Sequence, residues 1–208
     1  MRTLAVGLTG GFATGKSTAA GMLKRRGAWV VDADRLAHRA LAKGTAQYKA
    51  IVKKFGGKRI LDPAGRISRK KLGEMVFSDP RKLRGLEAIL HPFVFKEAEA
   101  MLKKSRKKIT VFEVPLLFET RFDRRMDKTV VVACSGSEQI RRASKKHGLN
   151  AKEIRKRIKM QMPLGEKKRK ADFVIENNKG LGELERKIGA LWGSLNRAVS
   201  QRTLSKNQ

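Results

Sequence analysis

The sequence predicts an α/β protein built around a five-stranded parallel sheet. Short apolar runs rich in β-branched residues recur along the chain, at 3–9, 28–32, 108–114, 128–134 and 172–177. Helical patterns separate these runs, and nearly continuous apolar strands that alternate with helices are typical of a parallel sheet covered on both faces. A glycine-rich segment follows the first run directly, as in α/β proteins that bind phosphate at the end of a strand.

The first elements carry clear local signals. Residues 3–9, "TLAVGLT", predict a buried strand. Residues 16–26, "KSTAAGMLKRR", predict a helix that Gly27 ends. Residues 28–32, "AWVVD", then predict the second strand.

The composition predicts one globular unit. With 208 residues, of which 40% are hydrophobic, the chain can bury one full-sized core. Apolar runs such as residues 129–134 fall far short of the roughly 20 residues that span a bilayer. We interpret the opening "MRTLAVGL" as the first strand rather than a signal peptide, because it leads straight into the glycine-rich motif. A cytoplasmic protein without a membrane segment is therefore expected.

Cys134 is the only cysteine in the chain. An internal disulfide is therefore excluded, and a cysteine-based metal site is not expected. Because Cys134 lies in an apolar run, we expect a buried and inert thiol.

The charge of the chain is unusual. It has 49 Lys and Arg residues against 19 Asp and Glu residues, which gives a formal net charge of +30. Such a field attracts polyanions, and these include both nucleic acids and nucleotide phosphates. A generally basic surface without a specific role is an equally good interpretation, so charge alone does not select a function.

Two insertions interrupt the strand and helix pattern. The second and third predicted strands are separated by about 70 residues with helical patterns around 35–55 and 69–105 and a turn at "LDPAGRIS". A second insertion, at 145–165, is dense in Lys and Arg, and the segment after residue 197 lacks a core-forming pattern. We therefore divide the chain into a core at 1–44, 107–144 and 166–197, a helical insertion at 45–106, a lid at 145–165 and a frayed tail at 198–208.

A Walker A motif provides the strongest functional signal. Gly10, Gly15, Lys16 and Ser17 have its spacing, between a predicted strand and a predicted helix. The glycines let backbone N–H groups surround phosphates, Lys16 reaches the β and γ phosphates, and the Ser17 hydroxyl is a ligand for Mg²⁺. The motif predicts ATP or GTP binding by the residues Gly10, Gly11, Phe12, Ala13, Thr14, Gly15, Lys16, Ser17 and Thr18.

Two carboxylates end the second strand, in "VVDAD". Alternate residues of a strand point the same way, so Asp32 and Asp34 are predicted to face one pocket beside the loop. Phosphoryl transfer to a hydroxyl needs a carboxylate that orients the nucleophile and a metal that offsets charge. Asp34 fits the base and Asp32 fits a position near the metal. Alternatively, one of them caps the helix that begins near Ala33.

The third strand ends in "VFEVPLLFE". Glu113 stands where P-loop proteins commonly keep an acidic ligand of Mg²⁺-bound water, and Pro115 then turns the chain out of the sheet. For Glu119, a pocket position and a solvated helix position are both open. The three residues between Pro115 and Glu119, which are Leu116, Leu117 and Phe118, are expected in the core. His91, which precedes a proline in the first insertion, is by itself best interpreted as a structural residue.

These motifs together resemble the dephospho-CoA kinase family over nearly the whole chain. The segments that carry the resemblance occur in the order of the family: "GLTGGFATGKST", "VVDADRLAH", "FGGKRILDPAGRISRKKLGEMVFSDP", "LEAILHP", "PLLFE", "EQIRR", "RIKMQMP" and "ADFVIENN". The resemblance implies transfer of the ATP γ-phosphate to the ribose 3'-hydroxyl of dephospho-CoA, the last step of coenzyme A synthesis, with Mg²⁺. It also implies a P-loop kinase core, a helical CoA-binding domain and a basic lid.

The resemblance assigns roles to further residues. Asp34 corresponds to the general base, and Thr9 and His91 correspond to residues on the substrate side. Arg142 and Arg157 correspond to basic lid positions that close over the phosphates and stabilise charge during transfer. Two further matches are Asn177, at a position near the adenine, and Gln161, at a family position without an assigned role.

The chain departs from the family pattern at a few positions. Residues 12–14 are Phe, Ala and Thr where the family usually has Ile, Gly and Ser, and the small side chains at 13 and 14 leave room for phosphate. Lys146 stands at a lid position where the family has Arg. Lysine keeps the charge but lacks the planar fork of donors that holds a phosphate in two places.

Two other functions remain as alternatives. One is a nucleic-acid-binding P-loop protein, but residues 141–170, with thirteen Lys or Arg and two Glu, contain no Phe, Tyr or Trp on which bases could stack. Nucleic acid is therefore not the expected partner. The other is a different small-molecule kinase of the same superfamily, against which "LEAILHP" and "PLLFE" argue by resemblance.

Overall fold

The central sheet has the predicted architecture. A computed structural model describes residues 3–204, and its five strands are β1 (Leu4–Gly10), β2 (Trp29–Asp32), β3 (Ile109–Glu113), β4 (Lys128–Ala133) and β5 (Phe173–Glu176). All neighbouring strands pair in parallel, in the order β2-β3-β1-β4-β5. Each strand begins and ends within one residue of a predicted apolar run, so the five-stranded parallel sheet is confirmed.

The chain divides into two compact units. The first comprises Met1–Asp32 and Leu102–Gln208, and the second comprises Ala33–Met101. The first unit contains the sheet, a 3-10 helix at Phe122–Arg125 and five helices, which are α1 (Lys16–Arg25), α7 (Gly136–His147), α8 (Ala151–Lys159), α9 (Leu164–Lys170) and α10 (Leu181–Leu204).

The core of the first unit forms around β1, whose seven residues are all buried. On one face of the sheet, Leu23 of α1 and Ile188 of α10 belong to the same buried cluster as Val6 and Leu8. On α10 the buried leucines and isoleucine recur every three or four residues, at Leu184, Ile188, Leu191 and Leu195. This spacing places them on one side of the helix, toward the sheet.

The second unit is helical. Its helices are α2 (Ala33–Ala40), α3 (Ala46–Phe55), α4 (Gly57–Ile60), α5 (Arg69–Phe77) and α6 (Pro80–Lys104), the last of which continues into the first unit at Leu102. Ile51, Phe55, Ile60 and Leu72 are part of its core. The predicted turn at "LDPAGRIS" is present, and an antiparallel bridge between Leu61 and Ile67 closes it.

The prediction of a frayed tail is wrong for residues 198–204. Helix α10 continues to Leu204, because Ala198 and Val199 extend its apolar side and pack against the core of the first unit. Arg202 also holds this end of the helix, with its Nη1 and Nη2 at 2.6 and 2.5 Å from the two carboxylate oxygens of Asp127. Residues 205–208 of the predicted tail lie outside the described residues.

The basic segment predicted as a lid contains the end of α7, all of α8 and the loops beside them. Asn150 and Glu153 start α8 with a capping box, in which each side chain accepts a hydrogen bond from the backbone N–H of the other. Ile154 is fully buried and fixes one side of this short helix. Within residues 3–204, none of the helices has the length and hydropathy needed to cross a bilayer.

Candidate active site

The glycine-rich loop lies between β1 and α1, as the Walker A motif requires. Gly15 has φ 94°, a left-handed conformation that favours glycine. A Cβ atom at Gly10 would lie 2.5 Å from the carbonyl oxygen of Val132 and 2.6 Å from Oγ1 of Thr14. Among the described residues, no side chain caps α1 at Gly15, so its first N–H groups are available to an anion.

Three predicted ligand residues meet in a hydrogen-bonded cluster at this helix end. Oε1 of Glu113 accepts hydrogen bonds from Nζ of Lys16 at 2.7 Å and from Oγ of Ser17 at 2.6 Å. Glu113 ends β3 and is paired in register with Asp32, the last residue of β2. The sheet thus places the carboxylates of the two strands at the edge where the loop begins.

The donor set at this edge has the chemistry of a magnesium site. The candidate ligands are the Ser17 hydroxyl and the carboxylates of Glu113 and Asp32, and Mg²⁺ prefers oxygen ligands. The described part of the chain holds no group of three or more His, Cys, Asp or Glu residues that could bind a metal on its own. Because Mg²⁺ in kinases keeps several waters and binds substrate phosphates, one or two carboxylates are sufficient.

Arg142 and Asn177 hold the backbone of the loop. The carbonyl oxygen of Thr14 accepts hydrogen bonds from Nδ2 of Asn177 at 2.8 Å and from Nη1 of Arg142 at 3.3 Å. Arg142 also donates from Nη2 to the carbonyl oxygen of Asn177 and from Nε to Glu138. Both residues were predicted to contact the nucleotide, and the structure places their donors on the loop itself.

Helix α7 supplies two loop-supporting residues that the sequence analysis did not assign. Gln139 is buried and donates from Nε2 to the carbonyl oxygen of Phe12 at 2.6 Å. Glu138 accepts hydrogen bonds from Arg141 and Arg142. Both residues lie in the segment "EQIRR", which was noted for its resemblance alone. The hydrogen bond from Arg141 is the main cause that lowers the pKa of Glu138 to about 2; Arg142 adds to it, while desolvation opposes both.

Phe12 brings the loop into contact with the predicted lid. The guanidinium carbon of Arg157 lies 5.5 Å from the centre of the Phe12 ring. The ring of His147 is stacked on the same side chain, with centroids 5.8 Å apart and an interplanar angle of 26°. Lys146, at the predicted arginine position, is exposed on α7, and Thr18 is exposed on α1.

A buried ion pair supports the turn after β3. Lys167 is fully buried and donates to the carbonyl oxygen of Pro115 at 2.9 Å, with its Nζ 2.8 Å from Oε1 of Glu119. The backbone N–H of Met162 donates to the same carboxylate oxygen. Glu119 is therefore not a solvated helix residue. Oε2 of Glu119 and Oε1 of Gln161 are both buried and lack a partner among the described residues.

Thr9 and the apolar residues near this turn have clear positions. Thr9 is fully buried in β1 and donates from Oγ1 to the carbonyl oxygen of Pro115 at 3.1 Å. Leu117 and Phe118 are buried, as predicted, whereas Leu116 is half-buried. Cys134 is buried too, which confirms the expected burial. Desolvation raises the pKa of its thiol to about 11.

Asp34 and His91 belong to the helical unit. Helix α2 begins at Ala33, so Asp34 lies in its first turn. The argument that Asp32 and Asp34 point the same way as alternate strand residues is therefore wrong, because the backbone is already helical at Asp34. His91 lies within α6 and stacks on Phe95, with ring centroids 5.7 Å apart. Desolvation lowers the pKa of His91, and the charge of Glu87 opposes this shift.

The fold and the loop define a P-loop nucleotide-binding protein of the kinase type. The family model described as dephospho-CoA kinase matches residues 4–183. The dephospho-CoA kinase of Geobacter sulfurreducens is 42% identical over 190 residues, which is 90% of this chain and 96% of that protein.

Solved structures agree with this match. The crystal structure of TT1252 from Thermus thermophilus has a TM-score of 0.81 at 34% identity, covering 94% of this chain and 99% of that one. Dephospho-CoA kinase from Campylobacter jejuni has a TM-score of 0.68 at 27% identity, covering 93% and 98%. The chain belongs to the dephospho-CoA kinase family, whose members are transferases with an alcohol acceptor that complete coenzyme A synthesis.

Proposed function

We propose that this chain uses ATP and Mg²⁺ in the cytoplasm to phosphorylate the ribose 3'-hydroxyl of dephospho-CoA. The observation that supports this most directly is the meeting of Lys16, Ser17 and Glu113 at the start of α1. These residues provide a cation, a hydroxyl and a carboxylate beside a loop of backbone N–H groups. The free thiol of Cys134 is compatible with a reducing compartment.

Lys16 and the start of α1 bind the phosphates in this proposal. The loop N–H groups and the partial positive charge of the helix end hold the β-phosphate, and Lys16 turns from Glu113 to the γ-phosphate. Because the fold fixes the loop N–H groups before ATP arrives, these groups stabilise the charge of the transition state without reorganisation. Arg157 adds a further cation to the phosphates from the lid at 145–165.

Ser17, Glu113 and Asp32 would hold Mg²⁺. The metal supplies neutralisation of phosphate charge and alignment of the phosphoryl group with its acceptor. The Ser17 hydroxyl and the carboxylates of Glu113 and Asp32 would supply the oxygen atoms that hold the ion and its waters in place. These residues stay in place during transfer, since β2, β3 and α1 carry them.

The helical unit binds dephospho-CoA in this proposal, with Thr9 of the core as a further substrate residue. Asp34 orients the 3'-hydroxyl and accepts its proton as the hydroxyl oxygen bonds to the γ-phosphorus, while the bond from that phosphorus to the bridging oxygen breaks and ADP leaves. His91 is a substrate-binding residue, and its lowered pKa favours a neutral ring that donates from one nitrogen and accepts at the other. The roles of Asp34 and His91 rest on the family resemblance of the segments "VVDADRLAH" and "LEAILHP".

The test is an assay of ADP formation with ATP, Mg²⁺ and dephospho-CoA. We expect turnover that requires dephospho-CoA and that Asp34→Asn lowers by about 10²–10⁴-fold, the usual contribution of a general base. Asp62→Asn is the matched control in the same unit, because Asp62 pairs with Arg66 in a turn. Its turnover should stay within about twofold of the unmodified chain, since exposed ion pairs contribute little.

A second pair of variants tests the nucleotide site. Lys16→Ala should abolish transfer while the circular dichroism and the melting temperature persist, and Lys24→Ala in the same helix should leave transfer unchanged. Turnover that does not need dephospho-CoA would contradict the proposed substrate. Normal turnover in Lys16→Ala would show that the phosphate site lies elsewhere.

A further inference from the structure

Phe12 is the residue of the phosphate loop that contacts the basic lid. Its ring lies under the guanidinium of Arg157 in α8 and against the ring of His147, the last residue of α7. Residues 148–150 join the two helices, so the Phe12 side chain of the loop contacts both α7 and α8. The family usually has an isoleucine at this position, which cannot make a cation–π contact.

The backbone of Phe12 is held independently of its ring. Its carbonyl oxygen accepts the 2.6 Å hydrogen bond from the buried side chain of Gln139. The next residue, Ala13, has φ 58° and fixes the direction in which the loop turns. The backbone is anchored in this way, and the ring itself is half-buried between His147 and Arg157.

Arg157 differs from Arg142 in what its donors do. Arg142 uses Nε, Nη1 and Nη2 on Glu138 and on two backbone carbonyls of the site. Arg157, by contrast, makes no hydrogen bond or ion pair with any of the described residues, and its contact with Phe12 is a cation–π contact that uses none of its donors. The five N–H donors of the Arg157 guanidinium are therefore available to bind an anion.

We infer that Phe12 is a positioning residue that holds Arg157 beside the phosphate loop, with the donors of Arg157 left for the triphosphate of the nucleotide. The inference deepens the proposed function and rests on it. An aromatic ring suits this task because it attracts the cation without neutralising its charge, whereas a carboxylate would occupy the donors that phosphate needs. Arg157 touches the phosphates, and Phe12 acts through Arg157.

A double-mutant cycle tests this inference. Phe12→Leu should raise the KM for ATP and lower kcat/KM by about two- to fivefold, the loss expected for an exposed cation–π contact. The KM for dephospho-CoA should not change. Phe12→Tyr keeps the ring face and should retain the activity of the unmodified chain. In an Arg157→Ala background, Phe12→Leu should have no further effect on kcat/KM.

Arg155→Ala is the matched control for the cycle. Arg155 lies on the same helix but lines an outer surface with Lys152, Lys156 and Lys159. Phe12→Leu should therefore have its full effect in the Arg155→Ala background. An equal effect of Phe12→Leu with and without Arg157, or a loss of activity in Phe12→Tyr as large as in Phe12→Leu, would overturn the inference.

The affinity for ATP in the absence of dephospho-CoA separates this inference from the proposed function. If calorimetry of ATP binding shows coupling between positions 12 and 157 while dephospho-CoA is not phosphorylated, the inference stands and the proposed acceptor is wrong. If dephospho-CoA is phosphorylated but the coupling is absent from both kcat/KM and ATP affinity, the inference is wrong and the proposed function stands. A chain that does not bind ATP would contradict both.

Discussion

Asn177, which stands at a predicted ligand position, also supports the phosphate loop. Its side chain is buried, and Nδ2 donates to the carbonyl oxygen of Thr14. Its own carbonyl oxygen accepts from Arg142, and its N–H donates to Ala133 of β4. Asn177 therefore connects the end of β5 and the neighbouring strand to the last turn of the phosphate loop.

We predict that Asn177→Ala lowers the free energy of unfolding by about 0.5–1.5 kcal/mol, because the buried carbonyl oxygen of Thr14 loses one of its two donors and keeps the one from Arg142. The loosened loop should also raise the KM for ATP. Urea unfolding measures the change in the free energy of unfolding. The control is Asn196→Ala, which removes a helix-surface hydrogen bond of α10. We expect it to lower the free energy of unfolding by less than about 0.5 kcal/mol. Unchanged stability with lost ATP affinity would instead favour a direct contact with adenine.

The residues around the site differ in how far the sequence could predict them. Lys16 and Ser17 have a fixed spacing within one motif, and Glu113 ends an apolar run, so local pattern was sufficient for them. Lys167 lies in the basic segment 141–170, yet it is fully buried against Pro115 and Glu119. Its burial depends on which side of the short helix α9 meets a turn about fifty residues away, and charge pattern does not contain that information.

In helix α7 the carboxylate of Glu138 holds Arg141 and Arg142, and Arg142 in turn donates to the phosphate loop. Arg141 and Arg142 lower the pKa of Glu138 to about 2, well below its ordinary value. A carboxyl group with a depressed pKa in the folded state stabilises the fold above its unfolded pKa, and that contribution is lost as pH falls through the folded pKa. The relevant window thus runs from about pH 4.5 down to about pH 2.

We predict that Glu138→Gln reduces the slope of unfolding free energy against pH in that window. The variant should be less stable than the unmodified chain at pH 7, and the difference should shrink as the pH approaches 2. Denaturant unfolding at several pH values measures this slope. Glu166→Gln, at the start of α9, is the matched control because it removes one carboxylate of a different helix. Equal slopes in Glu138→Gln and the unmodified chain would refute the role of the arginine pair.

At the scale of elements, the strands were more predictable than the helix ends. A strand buried on both faces requires continuous apolar residues, so the ends of the apolar runs predict where β1 and β4 begin and end. The sequence does not predict the end of α10 in this way. Ala198 and Val199 extend its apolar side by only two residues, and polar residues surround them. What keeps the last turns helical is tertiary, namely packing on the core and the pairing of Arg202 with Asp127.

The direction of Asp34 was predicted wrongly for a related reason, although a helix beginning near Ala33 was among the expectations. A strand continued through Asp34 and a helix begun at Ala33 are both consistent with "VVDAD". The structure ends β2 at Asp32 and begins α2 at the next residue. The sequence pattern therefore predicted the carboxylates correctly as a pair at the end of β2 but could not predict the direction of the second one.

For the whole molecule, the net charge of +30 creates an electric field that extends well beyond the active site. Binding the phosphates uses only a few of these cations. Part of it lies on α8, where Lys152, Arg155, Lys156 and Lys159 line one outer surface together with Met160. Their spacing of three and four residues places these cations on one side of the helix. None of the four forms an ion pair with another of the residues at 3–204, so their field is not neutralised locally.

We predict that this field raises the rate of encounter with ATP without taking part in transfer. Raising the salt concentration from ~50 to ~200 mM should raise the KM for ATP and change kcat little, because screening weakens attraction between separated charges. A variant with Gln at 152, 155, 156 and 159 should have a smaller dependence of KM on salt and the same kcat. The control is a variant of the helical unit in which Gln replaces Lys49, Lys53, Lys58 and Lys70. It removes the same number of positive charges as the α8 variant, but from another part of the chain.

The same two variants decide between the kinase and the nucleic-acid-binding alternative. If the cations of α8 attract nucleotide phosphate in general, single-stranded RNA should inhibit turnover at low salt by competing for the same field, and the inhibition should disappear near ~200 mM salt. RNA should not stimulate ATP consumption, since residues 141–170 offer no Phe, Tyr or Trp for base stacking. Stimulation of ATP hydrolysis by RNA without dephospho-CoA, and its loss in the α8 variant alone, would show that the basic surface is a working nucleic-acid site.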